Sequence, residues 1–247
     1  MSLRKLLVMT LCCVAVVAFA VPATAQDLMI TMYMDGTLGV DGGGSPKTVE
    51  LYAINAIPDL SEYALSRAGN GSPTFDAFTV DHVLPAVALA AGDYYYGVGN
   101  SFNDMTNGFD MVWPAKSGIR ARNFGVNSNG DDVTGLFHNP TGDFVGAGAP
   151  STVWIDAFGD LGVDGTGTPW QHNDSYARAT HGRTPGTTFV LSEWIIAAPD
   201  TLDGLAAQGI DDRVPDMRFN PVVPEPAGVT LVIAGLLGMA GMRRRWG

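Results

Sequence analysis

Acidic side chains in loops are the residues of this chain best suited to chemistry. Asp35, Asp41, Asp131, Asp132, Asp160 and Asp164 all fall in stretches rich in Gly, Asn or Thr. Carboxylate oxygens grouped with backbone carbonyls are the ligand set that calcium takes. Two of these stretches echo each other: Gly36 to Pro46 and Gly159 to Pro169 are identical at eight of eleven positions. The flanks do not continue the match, so the echo is not a full repeat. Two readings stay open, a pair of similar corner turns or two loops that hold structural Ca²⁺ through Asp and carbonyl oxygens. Segment 127–132, Asn-Ser-Asn-Gly-Asp-Asp, also crowds oxygen ligands together, but no Glu closes an EF-hand pattern.

Catalytic signatures are thin. The chain has no G-x-S-x-G, no H-E-x-x-H and no Walker A sequence. His172-Asn173-Asp174-Ser175 brings together residue types of a hydrolytic triad. A triad is a matter of geometry, and sequence neighbours seldom form one. A carboxylate pair for glycoside hydrolysis has many Asp to draw on, and nothing singles out two. No catalytic residue is assigned. Aromatic platforms for sugar are the other option, from Trp113, Trp154, Trp170 and Trp194 with Tyr94 and Tyr96. Most of these belong in a core. Trp170 is the expected exposed one, because it follows Pro169 in a Gly/Thr-rich loop beside Gln171, His172 and Asn173.

These residues need a scaffold, and the middle of the chain reads as short strands. Candidates are 27–34, 47–54, 80–91, 93–99, 111–113, 119–126, 135–138, 152–158 and 187–198. Tyr94, Tyr96 and Val98 alternate, which predicts a half-buried strand. Turn pairs such as Asn129-Gly130 and Asn139-Pro140 separate the runs. Segment 58–69 is the best helix candidate: Asp59 can cap it, Glu62 follows three residues later, and Gly69 stops it. A short helical turn is expected near 200–208. The fold class expected is all-β, an antiparallel β-sandwich of jelly-roll type with one or two short helices.

Composition narrows the partners. Of 14 Lys and Arg, two precede Asp27 and three follow Asn220, leaving nine; of 25 Asp and Glu, Glu225 alone lies outside, leaving 24. A net charge of −15 over 27–220 excludes a nucleic-acid partner, which needs a basic surface. The same acidity can collect cations.

Both ends read as targeting segments. Arg4 and Lys5 precede the apolar run 6–20, and Ala23-Thr24-Ala25 gives an A-x-A site that leaves Gln26 first in the mature chain. Signal peptidase is the implied processing enzyme. Cys12 and Cys13 both fall in the apolar run, so the mature protein has no cysteine chemistry. At the other end, Pro224-Glu225-Pro226 precedes 16 uncharged residues and then Arg243, Arg244 and Arg245. As a helix that run is about 24 Å long at roughly 1.5 Å per residue. A bilayer core is about 30 Å thick, and snorkelling arginines extend the reach. The arginines stop export and stay in the cytoplasm.

This tail resembles the PEP-CTERM sorting signal of bacterial exported proteins. Val223-Pro224-Glu225-Pro226, the apolar helix and the basic cluster stand in that family's order. The resemblance covers about a tenth of the chain. It implies an exosortase partner, membrane insertion through the tail before processing, then release to the cell surface or outside. Upstream the family is heterogeneous. The organisation expected is a signal peptide at 1–25, a β-sandwich extracellular domain at 26–210, a stalk at 211–223 and a sorting signal at 224–247 with a transmembrane helix at 227–242. The function expected is a non-enzymatic cell-envelope or matrix protein, structural or adhesive in exopolysaccharide or biofilm. The alternatives are a Ca²⁺-dependent carbohydrate-binding module and a secreted hydrolase.

Overall fold

A computed structural model describes residues 26–38, 44, 46–99, 109–113, 119–127 and 129–214. The signal peptide, Asp41 and the whole sorting tail lie outside the described residues. Among the described residues nine strands make two sheets. They are β1 (Leu28–Met34), β2 (Thr48–Ala53), β3 (Tyr63–Ala68), β4 (Tyr94–Val98), β5 (Ile119–Arg122), β6 (Val133–His138), β7 (Val153–Phe158), β8 (Tyr176–Ala179) and β9 (Trp194–Ile196). The larger sheet runs β5-β4-β2-β1-β8-β9 and the smaller β3-β6-β7. All pairs are antiparallel except β4 with β5. That parallel pair departs from the purely antiparallel sheets expected. Two short α-helices accompany them among the described residues, α1 (Asp110–Val112) and α2 (Ala207–Arg213). Among the described residues no helix is long and apolar enough to cross a membrane.

The central strands of the larger sheet, β1, β2 and most of β4, are buried on both faces, which explains their sequences. β1 reads Leu-Met-Ile-Thr-Met-Tyr-Met with all seven residues buried. Leu28, Ile30 and Tyr33 join a core shared with Leu65, Leu136 and Phe158 of the smaller sheet. Met32 and Met34 enter a second core with Phe109, Trp113, Leu202 and Ile210. A strand covered on both sides loses its alternation and becomes apolar throughout. For the same reason Tyr94–Val98 is not the half-buried strand its alternation suggests: Tyr95 faces the first core, and Tyr96 and Val98 the second. Burying one such side chain contributes roughly 1.5–3 kcal/mol. The second core also takes in Ile210 and Val214, so the folded domain runs past 210 into the segment read as a stalk.

Segment 58–69 is not a helix. Asp59 does cap, its Oδ1 accepting from the Ser61 amide at 2.9 Å, but the turn that it caps spans only Leu60–Glu62. Tyr63–Ala68 then extends as β3 and pairs with β6 from Tyr63↔His138 to Ala68↔Val133. Tyr63, Leu65 and Ala68 join the first core, so tertiary burial overrides the capping signal. Segment 80–91 contributes a 3-10 turn, Val80–His82, and isolated bridges at Val83 and Leu89 instead of a strand. Segment 187–198 contributes only Trp194–Ile196. Strand β8, four residues long, had no counterpart in the expected set.

Between the sheets sits a buried ion pair. Asp156 is fully buried and Arg183 is 5% exposed. The guanidinium meets both carboxylate oxygens, and also donates to Ile30 O at 3.0 Å and Ala157 O at 3.2 Å. Asp156 Oδ2 accepts the Ile30 amide at 2.8 Å. Ile30 lies just beyond the β1–β8 pairing, which begins at Met32, so side chains replace its missing ladder partners. Strand β7 is tied down by side chains as well: its carbonyls at Ile155, Asp156 and Ala157 accept from Gln26, Trp154 and Arg183 in turn.

Candidate functional site

The acidic residues singled out in the sequence mostly serve as turn acceptors. Asp35 is 4% exposed; it pairs with Lys47, and its Oδ2 accepts the Gly130 amide at 3.0 Å and the Asp174 amide at 3.3 Å. Asp132 accepts the Asn70 amide at 2.8 Å and the Asn129 amide at 2.9 Å. Asp164 is exposed and accepts the Thr166 amide at 2.9 Å, which holds its carboxyl below the usual carboxylate range. Asp131 takes the Thr166 hydroxyl at 3.1 Å, and Asp160 is exposed. These hydrogen bonds tie loops together: 129–132 to 35, 70 and 172–174. Gly130 is required there, since a Cβ would lie 2.2 Å from the His172 carbonyl carbon.

A different trio converges. Carboxylate oxygens of Asp174, Asp200 and Asp203 lie within 4.8 Å of one another. Asp174 and Asp200 hold positive φ, 51° and 62°, in the two turns that bring them together. Partial burial, Asp35 and then Asp203 push the Asp174 carboxyl above its usual range. Three hard oxygens at this spacing could hold a divalent cation. Sequence reasoning missed the group because about 26 residues separate Asp174 from Asp200, and only the β8–β9 return joins them.

Trp170 is a correction. It is 4% exposed, and its ring packs 6.1 Å from Phe158 and 6.0 Å from Phe189. Gly165 makes room for it, because a Cβ there would sit 2.5 Å from the indole. The Gly/Thr-rich loop folds back over the core and does not present the ring to solvent. His172, two residues on, is fully buried, with Tyr33 and Phe158 edge-on at 4.9 Å. Burial pushes its pKa down to about 4, against a weaker opposing pull from the Trp170 carbonyl. A neutral, enclosed imidazole is a packing element.

An open pocket lies elsewhere, at the start of β1 and the near end of the smaller sheet. A pocket of about 290 Å³ is bounded by Gln26, Asp27, Tyr63, His138, Val153 and Trp154. The cross-strand register places Tyr63 beside His138 and His138 beside Val153. A bulge at Ile155 shifts β7 between Leu136↔Asp156 and Phe137↔Trp154. Trp154 stays partly exposed, with Phe75 at 5.1 Å and Phe137 at 6.5 Å from its ring. Its Nε1 donates to Asp156 O at 2.8 Å. Asp27 accepts from Asn55 Nδ2 at 2.8 Å. His138 Nε2 lies 3.6 Å from Glu62. Burial, then the charges of Asp27 and Glu62, raise the Tyr63 phenol well above its usual value.

Of these lining residues, the sequence had marked Trp154 as one of several aromatics and Gln26 as the first mature residue. The strand pattern of 152–158 held the further clue. Comparison of the chain with family models, with curated proteins and with solved structures found no match.

Proposed function

We propose that this chain is an exported, non-enzymatic protein of the cell envelope or extracellular matrix, sorted by an exosortase. Its role is structural or adhesive in exopolysaccharide or biofilm. The carrying observation is the order of the tail: Pro224-Glu225-Pro226, 16 uncharged residues, then Arg243–Arg245. The two prolines hold the triplet extended, because residues before proline avoid helical geometry. An extended peptide at the outer membrane surface is open to a membrane-embedded processing enzyme. The other end supports the same route. Gln26, first after the A-x-A site, is already fastened to the domain through Nε2 to Ile155 O at 2.7 Å. We read the two sheets as the faces of a sandwich that the mature protein carries outside.

The test replaces Pro224-Glu225-Pro226 with three alanines in a host that has an exosortase. The expected product stays inserted through its tail at full length, while the parent is cut. Equal processing of both proteins overturns the sorting role of the triplet. Calcium-dependent carbohydrate binding is the second reading, and the convergence of Asp174, Asp200 and Asp203 is what favours it.

A further inference from the structure

We propose that Asn70 is a site of spontaneous deamidation in the folded protein, and that the fold protects Asn129 in the same Asn-Gly dipeptide. The inference is independent of the export reading above. Three Asn-Gly pairs occur in the chain, at 70–71, 107–108 and 129–130. The second lies outside the described residues. The reaction begins when the backbone nitrogen of the glycine gives up its proton and attacks the Asn Cγ. A bond forms from that nitrogen to Cγ, the bond from Cγ to Nδ2 breaks, and Nδ2 leaves as ammonia with the proton. Water then opens the succinimide at either carbonyl, leaving aspartate or isoaspartate. Water is the only co-reactant.

Asn70 and Gly71 form the centre of the turn that leaves β3, and the Ser72 amide donates across it to Gly69 O at 3.0 Å. Both central residues hold positive φ, 50° and 73°. That is the pattern of a type I′ turn, which Asn-Gly suits best. Gly71 has no bulkier substitute: a Cβ there would lie 2.9 Å from the Asp164 amide nitrogen. The dipeptide that this turn demands is therefore also the one that cyclises. Asn70 is exposed, and its backbone N–H donates to Asp132 Oδ1 at 2.8 Å. Among the described residues nothing bonds its side-chain amide, and nothing accepts from the Gly71 amide. Nucleophile and electrophile are both untied.

At Asn129 the same groups are engaged. The Gly130 amide donates to Asp35 Oδ2 at 3.0 Å. Deprotonating that amide would set a second negative charge against a carboxylate that is 4% exposed. Lys47 Nζ donates to Asn129 Oδ1 at 3.2 Å, and the Asn129 amide donates to Asp132 Oδ2 at 2.9 Å. Gly130 is buried against the backbone of His172 and Asn173, where a Cβ would lie 2.2 Å from the nearest atom. The backbone there has no room to swing toward the side chain. Deamidation at Asn70 also has a structural consequence. Asp132 lies against that turn, and a carboxylate at 70 brings like charge to it. The isoaspartate form further lengthens the main chain inside a turn packed on Asp164.

The test holds the full chain in mildly alkaline buffer, folded and in urea, and follows both sites by peptide mass over time. Folded protein is expected to deamidate at Asn70 at least about tenfold faster than at Asn129, a barrier difference of about 1.4 kcal/mol. In urea the two rates should converge. Asn129 modified as fast as Asn70 in the folded protein overturns the proposal. An Asn70 that keeps its amide when folded and loses it in urea does the same. A gap that persists in urea would trace the difference to sequence neighbours and also overturn it. Asn70→Gly tests the consequence, since it keeps the positive φ and removes the electrophile. Wild-type protein should lose melting temperature during the incubation, and the variant should hold its own. An equal loss in both would overturn the role given to Asn70.

Discussion

Trp170 and Trp154 are the same residue type in opposite settings. Trp170 follows a proline in a Gly/Thr-rich loop and is 4% exposed, wedged among Phe158 and Phe189. Trp154 belongs to strand β7 beside its bulge and is only partly buried. Loop composition speaks of backbone freedom; it does not say where a side chain points. Strand β7 is a sheet edge with a bulge, and such an edge can turn a large ring outward. The loop from 159 to 173, by contrast, is drawn inward by the ring that it carries. Loop composition is therefore a poor guide to which aromatic ring is exposed; the strand ring is the more open of the two.

The sharpest way to break this comparison is to truncate both rings. Trp170→Ala should cost about 3–5 kcal/mol, as large-to-small changes in a packed core do. Trp154→Ala should cost only about 1–2 kcal/mol, since part of its surface already faces water. Urea unfolding of the two variants measures both. Equal losses would place both rings in one core and remove the contrast.

The buried side of the comparison also predicts a pH dependence. His172 shares the loop of Trp170, and burial holds its pKa near 4, below an unfolded value of about 6.5. Between these values the unfolded chain binds the proton and the folded chain does not. Stability should therefore be fully present above pH about 6.5 and fall as pH drops toward 4, by on the order of 3 kcal/mol. Asp59, Asp143 and Asp164 have carboxyls below the usual range, so their contributions are lost only at pH below this window. Urea midpoints at pH 7 and at pH 4.5 measure the drop. His172→Gln should remove most of it, leaving a smaller drop of the same sign from His82, whose pKa burial also lowers; an unchanged drop would assign it to other groups.

The acidic loops give the smallest effect. If Asp174, Asp200 and Asp203 hold Ca²⁺, chelation should lower the melting temperature by an amount worth about 1–3 kcal/mol, the stabilisation from an ion at up to roughly a hundred times its dissociation constant. Asp200→Asn should shrink that response. Identical melting in chelator and in millimolar Ca²⁺ would leave the trio, like Asp35 and Asp132, as turn residues.

Much of the scaffold was legible because strand propensity and burial agree there. Segments 27–34, 47–54, 93–99 and 152–158 correspond to β1, β2, β4 and β7. Segment 58–69 misled because Asp59 and Glu62 mimic a helix start, while Tyr63 and Leu65 answer to the period of a strand. Strand β8, Tyr-Ala-Arg-Ala, has too few apolar residues to stand out and is ordered by β1 and β9 on either side. The pocket was not legible, since Gln26, Tyr63, His138 and Trp154 come from four separate places in the chain. Asp156 and Arg183 gave no signal either: a buried pair across 27 residues looks like any two charges.

Export followed by cleavage at the tail is the central claim, and intact mass tests it most directly. Protein recovered from the surface fraction of an exosortase-bearing host should begin at Gln26, end near Pro224–Pro226 and lack Arg243–Arg245. Recovery of a chain that still carries the 242–247 terminus would make the protein a plain tail-anchored one and contradict the sorting account.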